Sequence, residues 1–344
     1  MLGTVKTDLG KTTIEGVPPL RFRAGMDNQL VGVVQAALAA IGDRRPYDEL
    51  MGLSAAAFRL FFFRSGWNPL APDLMVGYPH AKRLFAALGY EVEILDCAQA
   101  DAGERARLQR LVTASIDRGT PVIARNIDGH GRYGVIFGHA SSTQNFYCRT
   151  YDAPPGGATL LQGWPWHLFF LICRHPASDR RLTALRSLME CLELAATPTF
   201  LHAGQPLASG DDAFQEWLDR LADEAPLAAL PPPQFEAAAA ANGWLYLAFT
   251  DARAAASRYL DALAHEFEPA PALRLRAAAS RYREAAERLA AGWPAVPWQA
   301  TPAAGRPWTA EMRRAQADVL RQVRGLEAQA IIEVDAALHV TTIG

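Results

Sequence analysis

The sequence predicts an α+β protein with an antiparallel sheet in its first domain and helices alone in its second. Three observations support this fold class. An apolar pattern with helical spacing comes early and stops at Gly42, and short patterns typical of strands then recur between residues 91 and 173. From residue 180 onward the spacing of apolar residues is helical. We therefore predict a domain at 1–178, with the sheet packed on a central helix, and an all-helical domain at 179–344.

The predicted central helix lies within Arg21–Gly42, which reads RFRAGMDNQLVGVVQAALAAIG. Asp27 or Asn28 can cap its N-terminus, because a short polar side chain accepts hydrogen bonds from backbone amides that otherwise lack partners. The N-terminus of such a helix also carries partial positive charge. The apolar positions of one face are Leu30, Val33, Val34, Ala37, Leu38 and Ile41.

The remaining elements follow from turn residues and apolar spacing. In the first domain we predict helices at 46–53, 54–63, 79–88 and 102–117, and strands at 12–16, 91–95, 121–124, 133–137, 145–151 and 167–173. In the second domain we predict helices at 180–196, 211–224, 234–267, 272–291 and 309–340, with a stiff Pro-rich linker at 225–233.

Composition narrows the class of protein. A formal charge of −2 gives no broad electrostatic argument for binding nucleic acid or an anionic membrane. We find no apolar run long enough to span a bilayer and no apolar signal core at the N-terminus. The four cysteines lack CxxC spacing, so we expect reduced, mostly buried thiols. The sequence thus predicts a cytoplasmic protein without a cofactor, and its alanine and arginine content is typical of a GC-rich bacterial genome.

A series of segments, taken in order, resembles a known family. They read PYDELMGLSAAAFRLFF, LFAALGYEVEIL, GTPVIARN, YGVIFGH, FYCRTYD and WPWHLFFL. This order resembles the papain-like domain of bacteriocin-processing-type cysteine peptidases, and more closely the N-terminal domain of butirosin-biosynthesis protein H-like proteins. LHAGQPLASGDDAFQEWLDRL and NGWLYLAFTDARAAASRYLDAL resemble the helical domain that often follows it. The resemblance covers most of the chain and implies a papain-like fold with a Cys–His–Asp site.

Carried over residue by residue, that site is degenerate. The nucleophile position falls on Gln29 or its neighbour Asn28, and the histidine position falls on Arg132 or Tyr133. Only Asp152 matches the family in chemical type. Neither an amide nor a phenol replaces a thiolate and its imidazole base. The resemblance therefore implies a catalytically degenerate protein that acts as a binding or accessory component, linked to secondary-metabolite biosynthesis, with a peptide, acyl chain or small metabolite in its cleft.

Three alternatives stay open on the sequence. An active acyltransferase or hydrolase could use relocated residues, drawn from His130, His139, Cys148 and Asp152. A metal site built from His130, His139 and Asp152 is conceivable, although no HExxH or paired Cys/His spacing supports it. Finally, the apolar stripes of the last helices could form a homodimer through the helical domain.

Overall fold

The computed structural model describes residues 2–140, 145–154, 157–176, 179–297 and 308–343. The chain forms two compact units, of which the first joins Met1–Leu50 to Phe85–Ala177 and the second joins Met51–Leu84 to Ser178–Gly344. One break thus falls next to the predicted boundary at 178. The segment Met51–Leu84, however, groups with the second unit rather than with the predicted 1–178 domain.

Most strands of the described chain lie before residue 175, and most of its long helices follow. The strands are β1 Val5–Asp8, β2 Lys11–Ile14, β3 Phe61–Phe63, β4 Tyr90–Asp96, β5 Val122–Arg125, β6 Tyr133–Ala140, β7 Phe146–Thr150, β8 Thr159–Leu160, β9 His167–Arg174, β10 Thr199–His202 and β11 Gln205–Ser209. The α-helices are α1 Gln29–Ala40, α2 Tyr47–Leu53, α3 His80–Leu88, α4 Ala102–Asp117, α5 Arg180–Ala196, α6 Gly210–Ala222, α7 Glu224–Ala228, α8 Pro232–Leu263, α9 Pro269–Ala291 and α10 Ala310–Ile343.

The first unit contains an eight-stranded antiparallel sheet in the order β1-β2-β6-β5-β9-β4, with β7 paired to β6 and β8 to β7. The long strand β6 is central, because β5, β2 and β7 all pair with it. A register shift between Ile136 and Gly138 marks a bulge in β6 opposite β7. The predicted α+β class with an antiparallel sheet is confirmed.

Helix α1 packs against β5 and β6, and most of its side chains are buried. Asn28 is the N-cap, and its side-chain oxygen accepts a hydrogen bond from the Val31 amide at 3.3 Å. The predicted capping residue and apolar helix are therefore confirmed. An Asn cap is favourable because it satisfies one of the amides that the first helical turn leaves without a partner.

The second unit combines a three-stranded antiparallel sheet, β10-β11-β3, with long helices. α9 packs against both α8 and α10, and α10 also contacts α5 and α6. Inside this unit Arg253 is fully buried and pairs with Glu327, while its guanidinium also donates to the carbonyl oxygens of Ala57 and Arg59. These bonds tie α8 to α10 and to the chain segment before β3.

Three predictions of secondary structure are wrong. The helix predicted at 54–63 is instead a 3-10 turn at Ala56–Phe58 followed by β3. Ala55 adopts a left-handed backbone, with φ of 57°, which interrupts any helix there. The three phenylalanines of β3 are buried without alternation, and periodicity cannot distinguish such a run from a buried helix.

The second domain is also not all-helical. β10 and β11 form a hairpin whose turn residues, Ala203 and Gly204, both have positive φ, at 48° and 77°. Such turns usually contain Asn-Gly or Asp-Gly, so Ala-Gly at this position is only a weak indication of a hairpin. The Pro-rich linker predicted at 225–233 is likewise wrong, since α7 occupies Glu224–Ala228 and α8 begins at Pro232.

Among the described residues, no helix is both long and apolar enough to cross a bilayer.

Candidate functional site

The first turn of α1 lies against the start of β6. The backbone amide of Tyr133 donates a hydrogen bond to the Gln29 side-chain oxygen Oε1 at 3.1 Å. The amide of Asn28, just before the helix, donates to the Tyr47 hydroxyl at 3.0 Å. A hydrogen bond thus joins the start of α1, where the resemblance places a nucleophile, to the start of β6, where it places a histidine.

The end of β7 packs on the same helical turn through Tyr151. Its hydroxyl donates to the Met26 carbonyl oxygen at 2.8 Å, and its ring stacks on Phe22 with 4.5 Å between centroids. A Cβ added at Gly32 would lie only 2.1 Å from the Tyr151 hydroxyl oxygen. Glycine at position 32 therefore lets the phenol reach the N-terminus of α1.

Asp152, the next residue, lies beside the loop that leads into β6. Its carboxylate forms an ion pair with the Arg132 guanidinium, and Arg132 Nε also lies 3.4 Å from Asp128 Oδ2. Asp128 Oδ1 accepts hydrogen bonds from the amides of His130, at 2.8 Å, and Arg132, at 3.3 Å. We call Asp128, Arg132 and Asp152 the ion cluster.

A second set of bonds shapes this loop. Asn126 has a left-handed backbone, with φ of 69°, and its side chain accepts from the Gly131 amide and donates to the Trp164 carbonyl oxygen, each at 2.8 Å. Gly129 and Gly131 also have positive φ. The loop before β6 is therefore closed by its own polar side chains, and this closure positions Arg132.

The chemistry available at this site differs from that of a Cys–His–Asp triad. A guanidinium stays protonated in proteins, so Arg132 cannot act as a general base. The Gln29 amide is neither a nucleophile nor an acid–base group in the usual pH range. The ion cluster has two carboxylates and one guanidinium, and hence a formal charge of −1 at neutral pH. What these side chains offer is hydrogen bonding and ion pairing.

The structure does not bring the candidate histidines and the cysteine together. His139 is buried, with Nε2 2.8 Å from Asp117 Oδ1 at the end of α4. His130 is exposed in the loop. Cys148 is fully buried in β7, where its thiol donates to the Phe146 carbonyl oxygen at 3.7 Å, and burial raises the pKa of this thiol.

The metal alternative also finds no support at this site. Among the described residues, His130, His139 and Asp152 are not part of any group whose ligand atoms converge closely enough to share an ion.

Sequence reasoning missed several residues that build this site. Tyr47, Tyr151 and Asp128 were not predicted, and Arg132 was considered only as an aligned position. The sequence did carry one signal, since Asp128 and Arg132 are four residues apart around two glycines, which is typical of a loop closed by its own charges. The contacts of Tyr47 and Tyr151 with α1 depend on tertiary packing and have no local signature.

No protein-family model matches the sequence, and no curated protein is significantly similar to it.

Proposed function

We propose that this chain is a catalytically degenerate papain-like protein that binds a ligand at the α1–β6 site and works as a binding or accessory component. The observation that carries the proposal is the 3.1 Å hydrogen bond from the Tyr133 amide to Gln29, beside the Arg132–Asp152 ion pair. Three segments that hold nucleophile, base and orienting acid in papain-like enzymes would then carry an amide, a guanidinium and a carboxylate. Such a set binds but does not perform nucleophilic catalysis.

The charge of the site argues for one class of ligand over another. The ion cluster has a net charge of −1, and the Gln29 amide and the Arg132 guanidinium are already engaged by neighbours. A peptide or an amine-bearing small metabolite suits the excess carboxylate of this cluster better than an anionic acyl group does. We therefore place peptides and amine metabolites first among the three expected ligand classes and acyl chains last.

Relocated catalysis has less support. Cys148 would have to reach an imidazole in an accessible cleft, but its thiol is buried, and burial raises its pKa, which disfavours the reactive thiolate. His139 is engaged by Asp117 at 2.8 Å.

The test is a thermal-shift screen of purified protein with peptides, amine metabolites and acyl chains, because a ligand that binds the folded state raises its stability by mass action. The hit is then measured on Asp152→Asn, which removes one carboxylate of the ion cluster. The matched control is Glu104→Gln, which removes the carboxylate of an exposed ion pair with Arg107 on α4. We expect a shift that Asp152→Asn loses and Glu104→Gln keeps.

Two results would contradict the proposal. Thiol-dependent hydrolysis or acyl transfer by the purified protein, abolished by Cys148→Ala, would overturn the proposal and establish relocated catalysis. A ligand whose shift is equal in Asp152→Asn and Glu104→Gln would place binding away from the ion cluster.

A further inference from the structure

Three side chains of different ligand chemistry converge at the far edge of the large sheet. Glu91 and Cys173 lie opposite each other in the β4–β9 pair, and His175 follows β9. The Cys173 thiol donates to Glu91 Oε2 at 3.0 Å, and its sulfur lies 3.5 Å from His175 Nε2. His175 Nε2 is in turn 3.7 Å from Glu91 Oε2. The three ligand atoms form a small triangle.

The dimensions of this triangle match those of a tetrahedral metal site. With zinc–sulfur bonds near 2.3 Å and zinc–nitrogen or zinc–oxygen bonds near 2.0–2.2 Å, tetrahedral angles place neighbouring ligand atoms about 3.3–3.6 Å apart. The three separations, at 3.0, 3.5 and 3.7 Å, require shifts of only about half an ångström to reach this range. Among the described residues, this is the group of metal-ligating side chains whose atoms approach one another this closely.

Backbone bonds hold the triangle in place. Glu91 and Cys173 are registered partners in the sheet, and the register shifts between Glu91 and Val92. The amide of His175 donates to the Gly89 carbonyl oxygen at 2.8 Å, which extends the pairing past the end of β9. Two of the ligands thus come from paired strands, and the third comes from a residue tied to the chain just before β4. Sites on such elements are better ordered than sites on loops.

The thiol is not arranged for reactivity as it stands. Its hydrogen bond to Glu91 raises the pKa of the Cys173 thiol, so the protonated form is favoured. A nucleophilic or redox-sensing cysteine needs the reverse, a lowered pKa beside positive charge. A divalent cation would replace the thiol proton, and it would satisfy the carboxylate, the thiolate and the imidazole together.

We propose that Glu91, Cys173 and His175 form a binding site for Zn²⁺ at the surface of the first unit. Cysteine, histidine and glutamate are all common zinc ligands, and three protein ligands leave the fourth tetrahedral position for water. The thiol releases one proton to solvent for each metal ion bound. This site is independent of the α1–β6 site and of the function proposed for it.

Cobalt(II) is the probe, because a cobalt–thiolate bond produces a charge-transfer band in the near ultraviolet. We expect the folded full-length chain to bind one Co²⁺ with this band and to lose the band when Zn²⁺ is added. Cys173→Ser should abolish the band. Loss of a residue that only hydrogen-bonds a metal ligand weakens metal binding about 10- to 100-fold. His175→Ala and Glu91→Gln each remove a ligand itself and should weaken binding by more than that. The control His265→Ala removes an exposed histidine of the second unit and should bind as the wild type does.

A thiol reagent gives an independent readout. Cys97, Cys148 and Cys191 are buried and Cys173 is exposed, so a disulfide reagent added to the folded protein should react with Cys173 first. Zn²⁺ should slow that reaction, and the protection should disappear in His175→Ala. The proposal is overturned if the band is absent, if it persists in Cys173→Ser, or if neither His175→Ala nor Glu91→Gln weakens binding. All three variants lie at exposed side chains, and circular dichroism verifies that each is folded.

Discussion

Replacing Gly32 by alanine tests the packing that builds the candidate site. Gly32 lies in α1, and a Cβ there would come within 2.1 Å of the Tyr151 hydroxyl oxygen and 3.3 Å of Tyr151 Cζ. The substitution therefore pushes the phenol away from the N-terminal turn of α1. The hydroxyl would then lose its 2.8 Å hydrogen bond to the Met26 carbonyl oxygen.

The magnitude follows from three contributions. Overpacking a tight interior contact costs about 1–3 kcal/mol. A lost hydrogen bond adds about 1 kcal/mol. The higher helix propensity of alanine over glycine returns about 1 kcal/mol. We expect Gly32→Ala to lower the free energy of unfolding by about 1–3 kcal/mol in total.

A double-mutant cycle isolates this contact. In a Tyr151→Phe background the hydroxyl is absent. The ring carbon and the Met26 carbonyl oxygen, each 3.3 Å from the new Cβ, remain tight contacts whose cost offsets the gain in helix propensity, so the same Gly32→Ala change should be close to neutral. Urea denaturation of the four proteins gives the coupling energy, expected at about 1–3 kcal/mol, within the range for residues in contact. An equal cost of Gly32→Ala in both backgrounds would refute the packing of β7 on α1.

Three further predictions concern the second unit. His80 is fully buried, and burial first, then Arg59, lowers its pKa well below 6.5. Below pH 6.5 the unfolded state binds a proton that the folded state does not, so the free energy of unfolding should fall by up to about 1.4 kcal/mol per pH unit. Urea denaturation at pH 7.5, 6.5 and 5.5 should show a steeper fall in the wild type than in His80→Gln. Equal slopes in the two proteins would contradict this prediction. Glu327→Ala leaves the buried Arg253 guanidinium without its carboxylate and should cost about 3–5 kcal/mol in the same assay, whereas a cost below 1 kcal/mol would show that water reaches the pair. The homodimer expected from the helical domain stays a prediction, and light scattering at micromolar concentration would exclude it by finding a monomer.

Much of the first unit was predictable because its signals are local. The Asn28 cap, the apolar face of α1 and the turn residues around the strands lie within short windows of sequence. α4 begins just after Asp101, whose side chain accepts a hydrogen bond from the Glu104 amide, as a capping residue does. Such elements need no knowledge of their partners in the fold.

The errors come from elements that depend on distant partners. β3 is a strand because it pairs with β11, about 145 residues further along the chain. Its three buried phenylalanines have no period that separates strand from helix. The grouping of Met51–Leu84 with the second unit has the same origin, since β3 belongs to the sheet of that unit.

The resemblance indicated positions for the candidate site but not the bonds between them. The order of segments indicated that Gln29, Tyr133 and Asp152 belong together, and the Tyr133 amide does bond to Gln29. The role of Arg132 depends on the loop closed by Asp128 and Asn126, and the sequence does not indicate the left-handed backbone of Asn126. Side-chain partners across the sheet require the register of the strands, which sequence alone did not supply.

The central claim is that Gln29 occupies the position of a nucleophile at the N-terminus of α1, and a cysteine placed there tests it most directly. The measurement is the pH dependence of alkylation by iodoacetamide of Gln29→Cys in a Cys173→Ser background, where the remaining native cysteines are buried. The account predicts a thiol pKa below the ordinary value of about 8.5, because the helix N-terminus favours the thiolate. A pKa at or above about 8.5 would contradict it, since the position would then lack the environment of a nucleophile.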